Sequence, residues 1–282
     1  MNFAIITPSY APDFERCRLL CQTVDQFVDP EVKHYLLVDA CDRGLFSSLQ
    51  NERTEMFSIE EILPWWIRRT IFSRKVWLSF KTLPLRGWII QQLAKLSVAE
   101  FVEADGYIFV DSDVFFIRPF SPKTFVRDNK FRLFRVPGGA QLPSHFRWHQ
   151  TAAKLLGLPV RDYFGSTYIG NLITWRRNHL KQMYEHIGKV SGTSWQLAVA
   201  RQWHLSEYIL YGIFVEHILC ETAEHYYDEE PVCHISWDYE IDTQERLDHF
   251  FSEVKPEHVA IMVSSKQHVP ASRYEHVAGN FV

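Results

Sequence analysis

Hydrophobic and polar positions along the chain alternate between short apolar runs and helical spacing. Phe3-Ala4-Ile5-Ile6 is an apolar run that ends in Thr7-Pro8-Ser9-Tyr10, the pattern of a buried strand stopped by a proline. Behind Asp13, a candidate cap, Phe14, Cys17, Cys21, Val24 and Phe27 recur near helical spacing. His34 to Val38 is a second apolar run, ending at Asp39. Strand, helix and strand in this order predict a βαβ unit with parallel strands. Trp88 to Phe101 reads as a helix with Ile89, Leu93, Leu96 and Phe101 inward and Gln91, Gln92 and Lys95 on the other side. Tyr107–Val110 is a third strand, with further strands expected at 131–136, 167–174 and 259–263 and helices at 145–156, 177–187 and 206–219. No repeat, low-complexity stretch or Gly/Ser linker interrupts the pattern. Residues 1–282 therefore read as one α/β domain with a mixed sheet flanked by helices.

Composition narrows the function classes. The chain has 30 Lys+Arg against 34 Asp+Glu, a formal charge of −4, which exerts no global pull toward nucleic acid. Apolar residues make up 46% and charged residues 23%, which excludes disorder and coiled coil. Five cysteines, with Cys17 and Cys21 four apart on a helix, suggest reduced thiols rather than a disulfide framework. Neither a secretory signal nor a spanning apolar window is visible, so a cytoplasmic location is expected.

One segment departs from the average. From Ile62 to Ala99 there are seven basic residues (Arg68, Arg69, Arg74, Lys75, Lys81, Arg86, Lys95), no acidic one, and four of the nine tryptophans. A solvated basic face over a Trp-rich subcore is the plainer reading. A peripheral contact through residues 64–90 with the inner face of a membrane, or an anionic ligand, is the other.

The sharpest chemical feature is Tyr107-Ile108-Phe109-Val110-Asp111-Ser112-Asp113-Val114-Phe115-Phe116. Two carboxylates two residues apart point to the same side of an extended segment. At the carboxyl end of a buried strand they would face the crevice where open α/β sheets bind ligands. Close anions repel unless a cation sits between them, and Mg²⁺ or Mn²⁺ would relieve that while binding a diphosphate. A chain of this size holds roughly one Asp-x-Asp by chance, so the apolar strand before it and the βαβ unit ahead of it carry the weight. A strand-end turn with Asp capping local N–H groups is the alternative.

This block resembles the DxD motif of GT-A-type nucleotide-sugar glycosyltransferases. In more detail the chain is similar to a bacterial glycosyltransferase-like family, through Ile6-Thr7-Pro8-Ser9-Tyr10, Trp88-Ile89-Ile90-Gln91-Gln92-Leu93-Ala94-Lys95, Tyr168-Ile169-Gly170-Asn171 and Ser206-Glu207-Tyr208 with Leu210-Tyr211-Gly212. The resemblance implies a GT-A-like (Rossmann-like) fold, with a nucleotide-binding half at 1–120 and an acceptor-side half at 121–282. It implies a transferase dependent on Mn²⁺ or Mg²⁺ that moves a hexose from a nucleotide sugar, UDP-sugars favoured, to the hydroxyl of a saccharide, small molecule or lipid-linked glycan.

By the same resemblance, Thr7, Pro8, Tyr10 and Asp39 would border the base and ribose. Gln91 and Lys95, on one helix face, would meet the donor, with Lys95 or Lys266 at the phosphates. Asp111 would touch ribose or metal, and Asp113 would chelate the metal. Gly170 and Asn171 would meet the sugar, and Glu207 would be the general base if configuration inverts. His234 or His268 would supply a third metal ligand. Each has a plainer role too: Pro8 ends a strand, Asp39 caps a turn, Gly170 forms a bulge, and Glu207 sits in a helical first turn.

Other readings compete. A metal-dependent phosphodiester or pyrophosphate hydrolase would need a denser acidic cluster, and a non-catalytic nucleotide- or carbohydrate-binding module would keep only the fold. His217, Cys220, His225, Cys233 and His234 lack zinc-ligand spacing. Asp238, Glu240 and Asp242 alternate as on one strand face, a possible second acidic site. Gly138-Gly139 reads as a turn, not a phosphate loop.

Overall fold

The chain opens with a βαβ unit made of β1 (Phe3–Pro8), α1 (Phe14–Phe27) and β2 (Lys33–Val38). α2 (Arg43–Phe46) leads to β3 (Thr54–Ser58), where Ser58 and Glu61 form a capping box that starts α3 (Ile59–Ile62). Three short strands follow, β4 (Ile67–Arg69), β5 (Val76–Ser79) and β6 (Leu85–Arg86), and then α4 (Gly87–Phe101). β7 (Gly106–Phe109) and β8 (Val114–Phe116) flank the Asp111-Ser112-Asp113 turn. The middle of the chain holds β9 (Val126–Arg127), β10 (Lys130–Phe134), β11 (Val136–Pro137), α5 (Pro143–Leu156), β12 (Ser166–Thr167) and β13 (Ile173–Arg176). α6 (Arg177–Ser191), α7 (Trp195–Ala200), α8 (Glu207–Phe214), β14 (His225–Asp228), β15 (Cys233–Ile235), α9 (Gln244–Ser252) and β16 (Ala260–Met262) complete it. The computed structural model describes residues 1–70, 76–139 and 142–281, so Arg74 and Lys75 of the basic segment lie outside the described residues.

The central sheet has the order β13-β7-β1-β2-β3. β1 runs parallel to β2 and β7, β2 runs parallel to β3, and β13 closes the edge antiparallel to β7. Alternate residues face opposite layers. Phe3, Ile5, Ile108 and Val110 pack with Leu20 and Val24 of α1, while Ala4, Ile6, Tyr107 and Phe109 pack with Leu93 and Leu96 of α4 and Leu180 of α6. Burial on both faces is why these strands read as unbroken apolar runs. The parallel strands place their carboxyl ends, at Pro8, Asp39 and Asp111, along one edge.

β8 leaves the central sheet and pairs antiparallel with β16 in a second sheet of order β15-β16-β8. The Asp111-Ser112-Asp113 turn is therefore the junction of two sheets. The α/β architecture matches the expected class, and β13, from the second half of the chain, shares a sheet with β7.

Four expectations are corrected. The strand expected over 167–174 is two, because Leu172 adopts φ +56 and splits it: β12 pairs with β11, and β13 pairs with β7. The helix expected over 206–219 is α-helical only to Phe214 and continues as a π turn from Val215 to Leu219. The helix expected to end at Ile187 runs to Ser191, before Gly192 in a left-handed cap. Asp238, Glu240 and Asp242 lie outside any strand, and Glu240 and Asp242 each pair with Arg246 at 2.9 Å. None of the five cysteines forms a disulfide. Among the described residues no helix is long and apolar enough to cross a membrane.

Candidate active site

The carboxyl edge of the central sheet carries a buried polar network centred on α4. Lys95 Nζ lies 3.0 Å from Asp111 Oδ1 and 3.1 Å from Glu207 Oε1, and it donates a 2.9 Å hydrogen bond to the Tyr208 hydroxyl. The ammonium also sits 4.7 Å from the centre of the Tyr208 ring. Burial alone would pull Lys95 down. Asp111, Tyr208 and Glu207 outweigh it and hold the ammonium well above its ordinary range. One turn earlier, buried Gln92 accepts the Glu207 backbone N–H at 2.6 Å. Ser206 Oγ caps the same helix by accepting from Ile209 N–H. The polar side of α4 thus docks the N-terminus of α8.

Asp111 is the exposed end of this network, with 37% of its side chain open to solvent. Asp113 is built in differently. Its Oδ2 accepts the Ser265 backbone N–H at 2.9 Å, and its carbonyl accepts from Val263 N–H at 3.0 Å, on the loop after β16. Burial, reinforced by the Asp111 charge, pushes the Asp113 carboxyl up to about 6. Asp13, buried at the start of α1, adds to that push and is itself paired with Arg16 at 3.2 Å. Among the described residues, Asp113 has no cation partner, whereas Asp111 has Lys95 and Asp13 has Arg16. Tyr10 borders the same group: its phenol is pushed up by burial and by the charges of Asp13 and Asp113. Lys266 follows Ser265 and is exposed, as is His268, whose backbone has φ +56.

The other expected residues divide. Pro8 is buried at the end of β1, and Thr7 turns its hydroxyl inward to His34 Nε2 at 2.9 Å, so the Thr7 side chain serves the sheet. Asp39 directly follows β2 and pairs with Arg69 Nη1 at 2.5 Å. Gln91 is half-buried on α4. A Cβ at Gly170 would lie 3.0 Å from the Phe134 ring, so the missing side chain there makes room for packing. Asn171 is buried, and neither its amide nitrogen nor its amide oxygen has a partner among the described residues. His234 is drawn into the packing around α9: Nε2 meets the Phe250 carbonyl at 2.9 Å and the ring stacks on Phe250 and His258.

Among the described residues one trio brings three ligand atoms within 4.8 Å of one another, Asp39, Cys41 and Asp42. Asp111 and Asp113 form no such trio with His234 or His268, nor do the suspected zinc residues His217, Cys220, His225, Cys233 and His234. A cavity of about 390 Å³ opens at the opposite edge, beside Asn2, Asp105 and Arg176, away from this network. Sequence reasoning placed none of Gln92, Tyr208, Asp13, Arg16 and Ser265 in the site. Gln92 and Tyr208 stood inside quoted motifs, while Asp13 looked like an ordinary cap and makes no side-chain capping bond.

A family model described as "Family of unknown function (DUF6492)" matches residues 4–276, and the chain belongs to that family. No curated protein matches it by sequence. Among solved structures, the apo form of mouse xyloside xylosyltransferase 1 is similar over 96% of this chain and 100% of that one, with a TM-score of 0.49 and 10% identity.

Proposed function

We propose that this protein is a metal-dependent glycosyltransferase that moves a hexose from a nucleotide sugar, a UDP-sugar by preference, to an acceptor hydroxyl. The observation that carries the reading is Asp113, a half-buried carboxylate beside a second one, held by the Ser265 backbone N–H and matched by no cation among the described residues. An all-oxygen pair of this kind suits a hard divalent ion, Mn²⁺ or Mg²⁺, completed by water and a diphosphate. Asp113 and Asp111 would hold it, and when bound it would offset charge on the departing nucleoside diphosphate.

The chain's own residues take distinct parts. Lys95 is engaged by Asp111, Glu207 and Tyr208, so it orients Asp111 rather than reaching a phosphate. Lys266, exposed beside the Ser265–Asp113 contact, is the freer cation for the phosphates. Tyr10 and Asp39, at the ends of β1 and β2, border the base and ribose, and Gln91 meets the donor from α4. Asn171 offers an amide donor and acceptor to the sugar hydroxyls. Glu207 takes the acceptor proton if configuration inverts, from a position fixed by Gln92 and Lys95.

Calorimetry with UDP, GDP and their sugars, with and without Mn²⁺, tests the reading. Expected is metal-dependent nucleotide binding that Asp113→Asn abolishes, together with transfer to an acceptor. Metal-independent binding that survives the substitution, or diphosphate cleavage that needs no sugar, would overturn it.

A further inference from the structure

The three-stranded sheet β4-β5-β6 stands beside the site and shows solvent an unusual face. Along β5, Trp77 points inward and is buried, while Val76 and Leu78 point out. Leu78 is opposite Arg68, and Val76 is opposite Arg86. Around this face Leu83 is 79% exposed, Phe80 70% and Trp65 65%. Phe80 N–H donates to the Trp66 carbonyl at 3.0 Å, and Lys81 Nζ lies 5.7 Å from the Trp65 ring centre, which brings the chain at Phe80 and Lys81 beside Trp65 and Trp66. A cavity of about 220 Å³ joins Leu83 and Arg86 to Arg201 and Trp203. Exposed apolar side chains clustered in this way mark an interaction surface.

From this patch we infer that β4-β5-β6 docks on an anionic lipid bilayer. Two observations select that partner. The exposed charges flanking the apolar tips, on Arg68 and Lys81, are all of one sign, and the chain has no Asp or Glu from 62 to 99. Tryptophan and aliphatic tips rimmed by cations match the depth profile of a lipid interface, apolar below the headgroups and cationic beside the phosphates. α4 begins at the rim of the patch, and Lys95 lies eight residues beyond its first, about 12 Å along the helix at 1.5 Å per residue. A docked bilayer would therefore lie beside the site entrance. The inference goes beyond the transferase reading and does not depend on it.

Co-sedimentation of the full chain with vesicles tests it, using phosphatidylcholine alone and phosphatidylcholine with 30% phosphatidylglycerol. Binding to the anionic vesicles is expected, at least tenfold weaker on the neutral ones and reduced by 0.5 M salt. Phe80→Glu and Leu83→Glu should each cut it about tenfold while leaving the melting temperature unchanged, since both side chains are in water. Lys81→Glu should cut it less. No binding to anionic vesicles, binding indifferent to these three substitutions, or a patch-dependent dimer in vesicle-free solution would overturn the inference.

Discussion

Two acidic clusters lie along the same sheet edge, and they differ in how their charge is balanced. Asp39, Cys41 and Asp42 bring three ligand atoms within 4.8 Å, but Asp39 meets Arg69 and Asp42 Oδ2 already accepts the Ala11 N–H at 2.9 Å. Among the described residues Asp111 and Asp113 form no such trio, yet Asp113 has no cation partner there and burial pushes its carboxyl up to about 6. Nearness of ligand atoms is thus a poor guide to where a cation is missing. A cluster whose charges are matched by arginine or backbone N–H has little to gain from a metal. A buried anion beside another anion has much to gain.

The largest effects should follow from breaking that contrast. Asp113→Asn is expected to abolish detectable Mn²⁺-dependent nucleotide binding and to lower transfer by about 10²–10³-fold, on the scale of losing a transition-state charge contact. Cys41→Ser, in the closer-set trio, should leave both within about twofold. Electron paramagnetic resonance titration of Mn²⁺ against each variant reads the difference. Metal affinity that follows Cys41 instead of Asp113 would reverse the assignment.

The floor of the site gives the next contrast, between a partner removed and a charge neutralised. Lys95→Met would leave Glu207 and Asp111 facing each other without their shared ammonium. For buried pairs that costs about 3–5 kcal/mol, so urea unfolding should show a large loss. Glu207→Gln keeps Lys95 paired with Asp111 and should cost less stability than Lys95→Met. It should retain donor affinity and lose about 10²–10⁴ in transfer. Unchanged turnover would remove Glu207 as the base.

These contrasts also show how far the residues could be read before the fold was known. Strands β1, β2 and β7 were legible because burial on both faces writes apolar runs into the sequence. Helix α4 was legible too, but its polar side was misjudged. Periodicity marks Gln92 and Lys95 as sharing a side, yet nothing local says that the side is buried against α8 and Asp111. The split after Asn171 left no signal, since a leucine at positive φ is held there by its surroundings. The sheet β4-β5-β6 escaped because Val76-Trp77-Leu78 is apolar on both faces, and the outer one remains in water. Asp113's missing cation is a three-dimensional property altogether, since it depends on where Arg16 and Lys95 spend their charges.

A smaller effect sharpens the comparison through pH. Asp113 titrates near 6 in the fold against about 3.9 in an unfolded chain, so between those values the folded state holds the extra proton. Its contribution to stability is therefore fully present below about pH 4 and is lost as pH rises through 6. The total is on the order of 2 kcal/mol once partial exposure is discounted. Buried histidines act in the opposite sense. His34 and His225 are lowered to about 3, and His149 and His179 to about 4, chiefly by burial, so they stay neutral in the fold and weaken it as pH falls below about 6.5. A single melting curve mixes the two trends. The difference between wild type and Asp113→Asn isolates the first, because both proteins carry the same histidines. Measured by denaturant titration from pH 4 to 8, the wild-type advantage should shrink toward pH 6.5 and then level off, and millimolar Mn²⁺ at pH 7 should restore it in the wild type alone. A difference independent of pH would mean that Asp113 carries no unbalanced charge, and the two acidic clusters would then be equivalent.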